Sequence, residues 1–221
     1  METPRIRAVL NLIDAGMTPV EIGADRAPFA LAFAQRFERP CFASEVAEGP
    51  FRALESSVDS AGMSALISIY KADGLASFPA SADTALLCGM GGLTIAKILE
   101  RASGIPQLKT IIIEPQSHFA EARRALLSAG FCIDADSYVD EANRFYPVIR
   151  AHRGPCEPPY ISLEESFGRL ALTSRDPLLK AHLERTIEIL SRDLNGRSNA
   201  ASQARLESAR EAMRVYFSSD R

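Results

Sequence analysis

The sequence contains no tryptophan, only four lysines against 21 arginines, three widely separated histidines and four scattered cysteines. It has no apolar run near the ~18 residues that a membrane helix requires. Its first residues, Met1-Glu2-Thr3-Pro4-Arg5, lack the apolar stretch of a secretory signal. Cys41, Cys88, Cys132 and Cys156 form no CxxC, and His118, His152 and His182 show no ligand spacing. Neither a zinc site nor a disulfide framework is therefore expected. Together these absences predict a reduced, cytoplasmic protein without metal or membrane contact. Lysine plus arginine total 25 and aspartate plus glutamate 28, a net charge of -3. That balance excludes attachment to nucleic acid by bulk charge alone and leaves room only for a local arginine patch. A GxGxxG fingerprint is also missing, because Gly23 has no glycine two or five residues later. A pyrophosphate cradle is thereby disfavoured.

What is present is an alternation. Short apolar segments at 19–23, 40–45, 67–70, 84–88 and 110–114 read as strands. Helical periodicity at 4–16, 27–37, 49–61, 93–102 and 120–129 separates them. This predicts a parallel sheet covered on both faces, with 110–113 as a buried central strand. Segments 131–137 and 145–151 follow with a short connection and predict an antiparallel hairpin that closes the sheet. Seven mostly parallel strands of this kind resemble the α/β Rossmann-like sheet of class I methyltransferases. Pro155, Pro158 and Pro159 mark a linker. Beyond it Leu179, Leu183, Ile187, Leu190 and Leu194 recur at helical spacing, Asn195-Gly196 reads as a cap, and Leu206, Ala209, Met213 and Phe217 form a second stripe. The pattern predicts a C-terminal α-helical hairpin (coiled coil), with domains at 1–154 and 155–221. The hairpin is a candidate surface for self-association or for a protein partner.

In an open α/β sheet, ligands bind at the carboxyl ends of the strands. The first strand ends in Glu21-Ile22-Gly23-Ala24-Asp25, where an acidic group can meet an amino group and a glycine allows close approach. Glu45 ends the second strand roughly twenty residues after Gly23, the place of a ribose-reading carboxylate. Asp73-Gly74 follows the third strand and suits an adenine amino group, although Asp-Gly is also a common turn. Gly89-Met90-Gly91-Gly92 ends the fourth strand and Glu114-Pro115-Gln116 the fifth. Carboxylates with little lysine or arginine at these ends suit a cationic, phosphate-free nucleoside such as S-adenosylmethionine.

The order Val20-Glu21-Ile22-Gly23-Ala24-Asp25, Glu45-Val46-Ala47-Glu48-Gly49-Pro50, Asp73-Gly74-Leu75, Cys88-Gly89-Met90-Gly91-Gly92 and Glu114-Pro115-Gln116 resembles the bacterial tRNA (adenine(22)-N1)-methyltransferase family (TrmK). The resemblance covers about residues 5–153, and the C-terminal hairpin matches the family's coiled-coil appendage. It differs at Glu21 (family Asp), Ala24 (Thr), Arg26 (His), Pro28 (an aromatic), Ala72 (Gly) and 114–116 (Gln-Pro-Asn). The resemblance implies S-adenosylmethionine as cofactor, held by Glu21, Gly23, Glu45, Asp73, Gly74, Gly89, Met90 and Gly91, and an adenine in folded tRNA as substrate. Adenine N1 is a ready nucleophile, so positioning is the main demand. Asp25 is the candidate for stabilising the cationic product, unless it serves as a helix N-cap. Gln116 or Glu114 would read the N6 amino group. Phe29 would stack on the base, unless it is a core aromatic. Arg5, Arg7 and Arg26 would form a rim for tRNA phosphates. A methyltransferase acting on another RNA or a small molecule, and a non-catalytic interaction module, are the alternatives.

Overall fold

In the computed structural model, residues 2–193 and 199–218 are described. The chain runs α1 (Pro4–Leu10), β1 (Pro19–Ile22), α2 (Pro28–Phe37), β2 (Cys41–Glu45), α3 (Glu48–Ser60), β3 (Ile67–Lys71), β4 (Thr84–Met90), α4 (Gly92–Leu99), β5 (Thr110–Pro115), α5 (Phe119–Ser128), β6 (Phe131–Glu141) and β7 (Arg144–Arg153). Then follow α6 (Ser162–Phe167), α7 (Arg169–Thr173), α8 (Pro177–Asp193) and α9 (Ala200–Ala212), which continues as a π-helical turn over Met213–Phe217. The seven strands form one sheet in the order β3-β2-β1-β4-β5-β7-β6. β1 to β5 are parallel, and β7 lies antiparallel to both β5 and β6.

The alternation of side chains along a strand divides the core between the two faces. Ile111 and Ile113 pack with Ile95, Leu99, Ala122 and Leu126 beneath α4 and α5. Ile112 packs with Val9, Leu10, Phe33, Leu54 and Val58 beneath α1, α2 and α3. All three isoleucines are fully buried, so 111–113 is apolar without a break. The switch in strand order lies between β1 and β4, and it places the open crevice at the carboxyl ends of those strands.

The expected helix over 4–16 is shorter. Thr3 caps its start, Asn11 ends it, and Ile13 is buried from the irregular segment that follows rather than from the helix. Two short helices, α6 and α7, fill what the sequence presents only as the stretch after a linker. The expected cap at Asn195-Gly196 and the stripe position Leu194 lie outside the described residues.

α8 and α9 form the expected hairpin, packed on the sheet edge. Leu179, Leu183, Ala209 and Ala212 share a buried cluster with Tyr138 of β6 and with Ala171 and Leu172 of α7. A buried ion pair anchors this junction. Arg123 of α5 donates to Asp136 of β6 through Nε at 2.7 Å and Nη2 at 2.9 Å, and through Nη1 to the carbonyls of Glu165 and Ser166 in α6. The Tyr138 hydroxyl donates to the Phe167 carbonyl, and Asp176 accepts from the Tyr138 amide. Burial works against the Arg123 charge, but the Asp136 carboxylate more than offsets it and holds the guanidinium above its ordinary value.

One sequence expectation is overturned here. Cys132 and Cys156 are joined as a disulfide, with Cα atoms 4.7 Å apart. Cys132 pairs across the ladder with His152 of β7, and after Arg153 the chain turns back so that the Gly154 amide bonds to the Gly130 carbonyl. This return brings a linker cysteine beside the start of β6, a proximity that spacing alone does not reveal. Cys41 and Cys88 are buried free thiols.

Candidate functional site

The strand ends meet at a small crevice. The backbone at Gly23 has φ +68° and at Gly89 +75°, both left-handed. A Cβ on Gly23 would lie 3.2 Å from the Met90 side chain, so the β1 and β4 loops approach closely. Glycine at these turns leaves backbone, not side chain, facing the crevice. Gly91 stands at the N-cap of α4. The Gly92 amide bonds to the Ser117 carbonyl, which ties the β4 and β5 loops together.

Glu45 links the first two strands. Its Oε2 accepts from the Asp25 amide at 3.2 Å and its Oε1 from the Val46 amide at 2.9 Å. Each carboxylate oxygen keeps a second lone pair for a hydroxyl. Asp25 is exposed, with φ +46°, on the turn between β1 and α2. It does not cap α2, whose N-cap position is Ala27.

That capping task falls to Glu21. Its side chain is buried, and it accepts from the Phe29 amide at 3.4 Å and the Ala30 amide at 2.7 Å. Burial pushes its carboxyl up to about 8, against those two amide bonds. Glu21 thus points at the start of α2 and fixes the turn that carries Asp25 and Arg26. The structure makes it a positioning residue. The sequence offers Asp25 as the cap, but Ala27 stands at the N-cap position before the first-turn Pro28, and alanine has no side-chain acceptor to give.

Asp73 and Gly74 lie in the loop after β3. The Asp73 side chain is 71% exposed, and Arg101 lies 3.5 Å from it and bonds to its carbonyl. Glu114, at the end of β5, is fully buried. Its Oε2 accepts from the Gly89 amide at 3.0 Å, Arg5 lies 3.5 Å away, and Oε1 has no partner. Burial, opposed by Arg5, lifts this carboxyl to about 7. Gln116 is exposed two residues on, its amide held by the Met90 carbonyl.

Two expected substrate residues are elsewhere. Phe29 is only 5% exposed and packs in the α1–α2 core, because its helix face turns toward the sheet; it cannot stack on a base. Arg5 is not a rim residue. Its Nε donates to Glu141 at 2.8 Å, and its guanidinium lies over the Tyr146 ring. Its charge is consumed by Glu141 and Glu114. Arg7 is exposed and lies 3.7 Å from Glu2, while Arg26 is exposed beside Asp25. Sequence reasoning did not anticipate the residues that α8 and α9 bring to Gln116. His182, Arg185 and Arg205 lie some seventy to ninety residues along the chain and reach it only through the docked hairpin.

The crevice thus offers carboxylates, bare backbone and a buried acceptor, and it presents no cradle of lysines for phosphate. Such a set fits a ribose-bearing cation. Among the described residues no helix is long and apolar enough to cross a membrane, and no cluster of three acidic, histidine or cysteine residues is placed to hold a metal.

Known proteins match this arrangement. A Bacillus subtilis tRNA (adenine(22)-N(1))-methyltransferase is 27% identical over 169 residues, 75% of this chain and 71% of that protein. The crystal structure of a Streptococcus pneumoniae protein in complex with S-adenosyl-L-methionine superposes with a TM-score of 0.85 at 25% identity, over 96% of this chain and 100% of that one. Mycoplasma capricolum TrmK in complex with S-adenosyl-homocysteine shares the fold at 21% identity, with a TM-score of 0.83 over 97% of this chain and 98% of that one. The family model described as a methyltransferase domain matches residues 2–149, and that span takes in every strand end described above. The chain belongs to the methyltransferase-domain family.

Proposed function

We propose that the protein transfers a methyl group from S-adenosylmethionine to N1 of an adenine in tRNA. The observation that carries this reading is the Glu45–Asp25 contact, in which the Asp25 backbone amide donates to the Glu45 side chain and so sets a ribose-reading carboxylate at the end of β2 beside an exposed second carboxylate in the loop after β1. The Streptococcus protein that binds S-adenosyl-L-methionine and the Bacillus tRNA methyltransferase support it.

S-adenosylmethionine, when bound, supplies an electrophilic methyl group on a sulfonium. Glu45 would hold its ribose hydroxyls and Asp73 its adenine amino group, and the bare backbone at Gly23, Gly89 and Gly91, with Met90 beside it, would leave room for it to approach. Glu21 acts from below by fixing the turn. Adenine N1 needs no base to make it nucleophilic, so this chain's task is alignment and exclusion of water. Asp25 stabilises the positive charge that grows on the product ring. The exposed Gln116 reads the N6 amino group, while Glu114, fully buried, acts as a positioning residue by holding the Gly89 amide. Arg7 and Arg26, both exposed, would meet phosphates of a folded RNA. Residues 1–154 form the cofactor unit and 155–221 its helical cover.

The test is methyl transfer from labelled cofactor to bulk tRNA from cells lacking the gene, followed by nucleoside analysis. The expected product is 1-methyladenosine, and Asp25→Ala should lose at least ten-fold in rate while binding cofactor normally. Label in no nucleoside, or in a base other than adenine, would overturn the reading.

A further inference from the structure

Two adjoining cavities, of about 340 and 650 Å³, lie between the C-terminal hairpin and the end of β5, and they share Gln116, His182 and Thr186. Their sizes fall in the range of about 300–1,000 Å³ typical of ligand sites. We propose that this cleft seats the nucleotide adjacent to the target adenine, its base against the aromatic wall and its phosphates on Arg144, Arg185 and Arg205. The proposal rests on the tRNA reading above and adds a second site to it.

Three arginines from three elements border the cleft: Arg144 at the start of β7, Arg185 on α8 and Arg205 on α9. All three are exposed. Among the described residues none has a carboxylate within ion-pair distance, and Arg185 donates only to the Asn143 carbonyl. Elsewhere on the molecule Arg5, Arg101, Arg123 and Arg150 each face a carboxylate. Glu121, at the border of the larger cavity, is paired with Arg124 at 3.3 Å. Unpaired cations from separate elements meeting at one concavity select an anion, and arginine suits a phosphate diester.

The floor is aromatic. Phe145, Tyr146, Phe119 and His182 line it, and the His182 ring lies 5.8 Å from Phe145 and 6.3 Å from Phe119 and stacks at 5.6 Å on the buried Tyr138 beneath. Burial, aided by the charges of Arg205, Arg123 and Arg185, pushes His182 down to about 4. At neutral pH it is an uncharged imidazole, with one donor and one acceptor for a base edge. Aromatic faces, a neutral polar ring and arginines are the chemistry of single-stranded RNA binding, where bases stack and phosphates pair. The chemistry of the target is consistent with such a nucleotide. Adenine N1 is hidden in a duplex, so the target must leave its stack, and its neighbour then loses the stacking partner on that side. Gln116, which reads the target base in the reading above, borders both cavities, and this sets the neighbour's site beside the target's.

The triple variant Arg144→Ala/Arg185→Ala/Arg205→Ala removes only exposed side chains, and retained cofactor affinity reports a folded enzyme. Its KM for tRNA should rise at least ten-fold. The slope of log Kd for tRNA against log salt should become shallower by about 2, at roughly 0.7 per single-strand phosphate. In parallel, 4-thiouridine placed beside the adenine that the wild type methylates should crosslink to peptides containing Tyr146 or His182. A wild-type KM and salt slope in the triple variant, or crosslinks confined to other surfaces, would overturn the second site while leaving the function intact. A wild-type enzyme that does not methylate tRNA would remove both.

Discussion

Arg123→Leu is the sharpest test of how the hairpin is held. In the folded protein Arg123 makes two charge-assisted bonds to Asp136 and two to the carbonyls of Glu165 and Ser166. Both side chains of the pair are fully buried. Removing one member of such a pair costs about 3–5 kcal/mol, because the remaining charge is left in a low-dielectric interior. For a chain of this size 1 kcal/mol corresponds to about 2–4 °C, so the midpoint should fall by roughly 10 °C. Thermal and urea unfolding of wild type, Arg123→Leu, Asp136→Asn and the double variant complete a cycle. The double variant should be less destabilised than the two single losses combined, since no lone buried charge remains. The consequence reaches the site, because α6 is what Arg123 grips and the hairpin follows it. Methyl transfer to tRNA should therefore fall further than cofactor affinity. A midpoint shift below about 2 °C, or simple additivity in the cycle, would refute the claim that this pair anchors the hairpin.

Three further outcomes follow from the site. Glu45→Ala should weaken cofactor binding by about ten-fold or more in calorimetry, because it removes the ribose acceptor and the clasp on the Asp25 amide; unchanged affinity would count against the site. Glu21 and Glu114 carry raised carboxyl pKa values of about 8 and about 7, against 4.5 for the unperturbed group. A raised carboxyl stabilises the folded state below the unfolded value and loses that contribution as pH rises through the folded one. Urea unfolding should thus show stability falling between about pH 4.5 and 8. The Glu114 share is about 3 kcal/mol, and Glu114→Gln should flatten that part of the curve. Gly92→Ala should destabilise by about 1–3 kcal/mol in chemical denaturation, since its Cβ would overlap the Ser117 and His118 carbonyls.

Much of the fold is legible because it is written in local patterns. The apolar run 111–113 announces a strand buried on both faces, and the residues that end the strands stay at the crevice wherever the helices settle. Glu45, Gly23 and Gly89 could be placed from their position after a strand alone. Phe29 and Arg5 could not. Their chemistry suits a substrate contact, but the rotation of α2 buries the first and the approach of β6 and β7 to α1 consumes the second. Glu21 shows the same limit, because the distance from a strand end to a helix start is invisible in the sequence.

The sequence by itself determined the alternation of strands and helices, the antiparallel closing pair, the C-terminal helices and the row of carboxylates at the strand ends. These follow from short-range periodicity and from turns that only glycine or acidic residues make well. Only the tertiary structure decided which carboxylate faces the crevice, that Cys132 meets Cys156, and that His182, Arg185 and Arg205 stand beside Gln116. Those are contacts between residues far apart in the chain. The packing of α8 on β6 and the burial of Arg123 against Asp136 bring them together, and no local pattern encodes either.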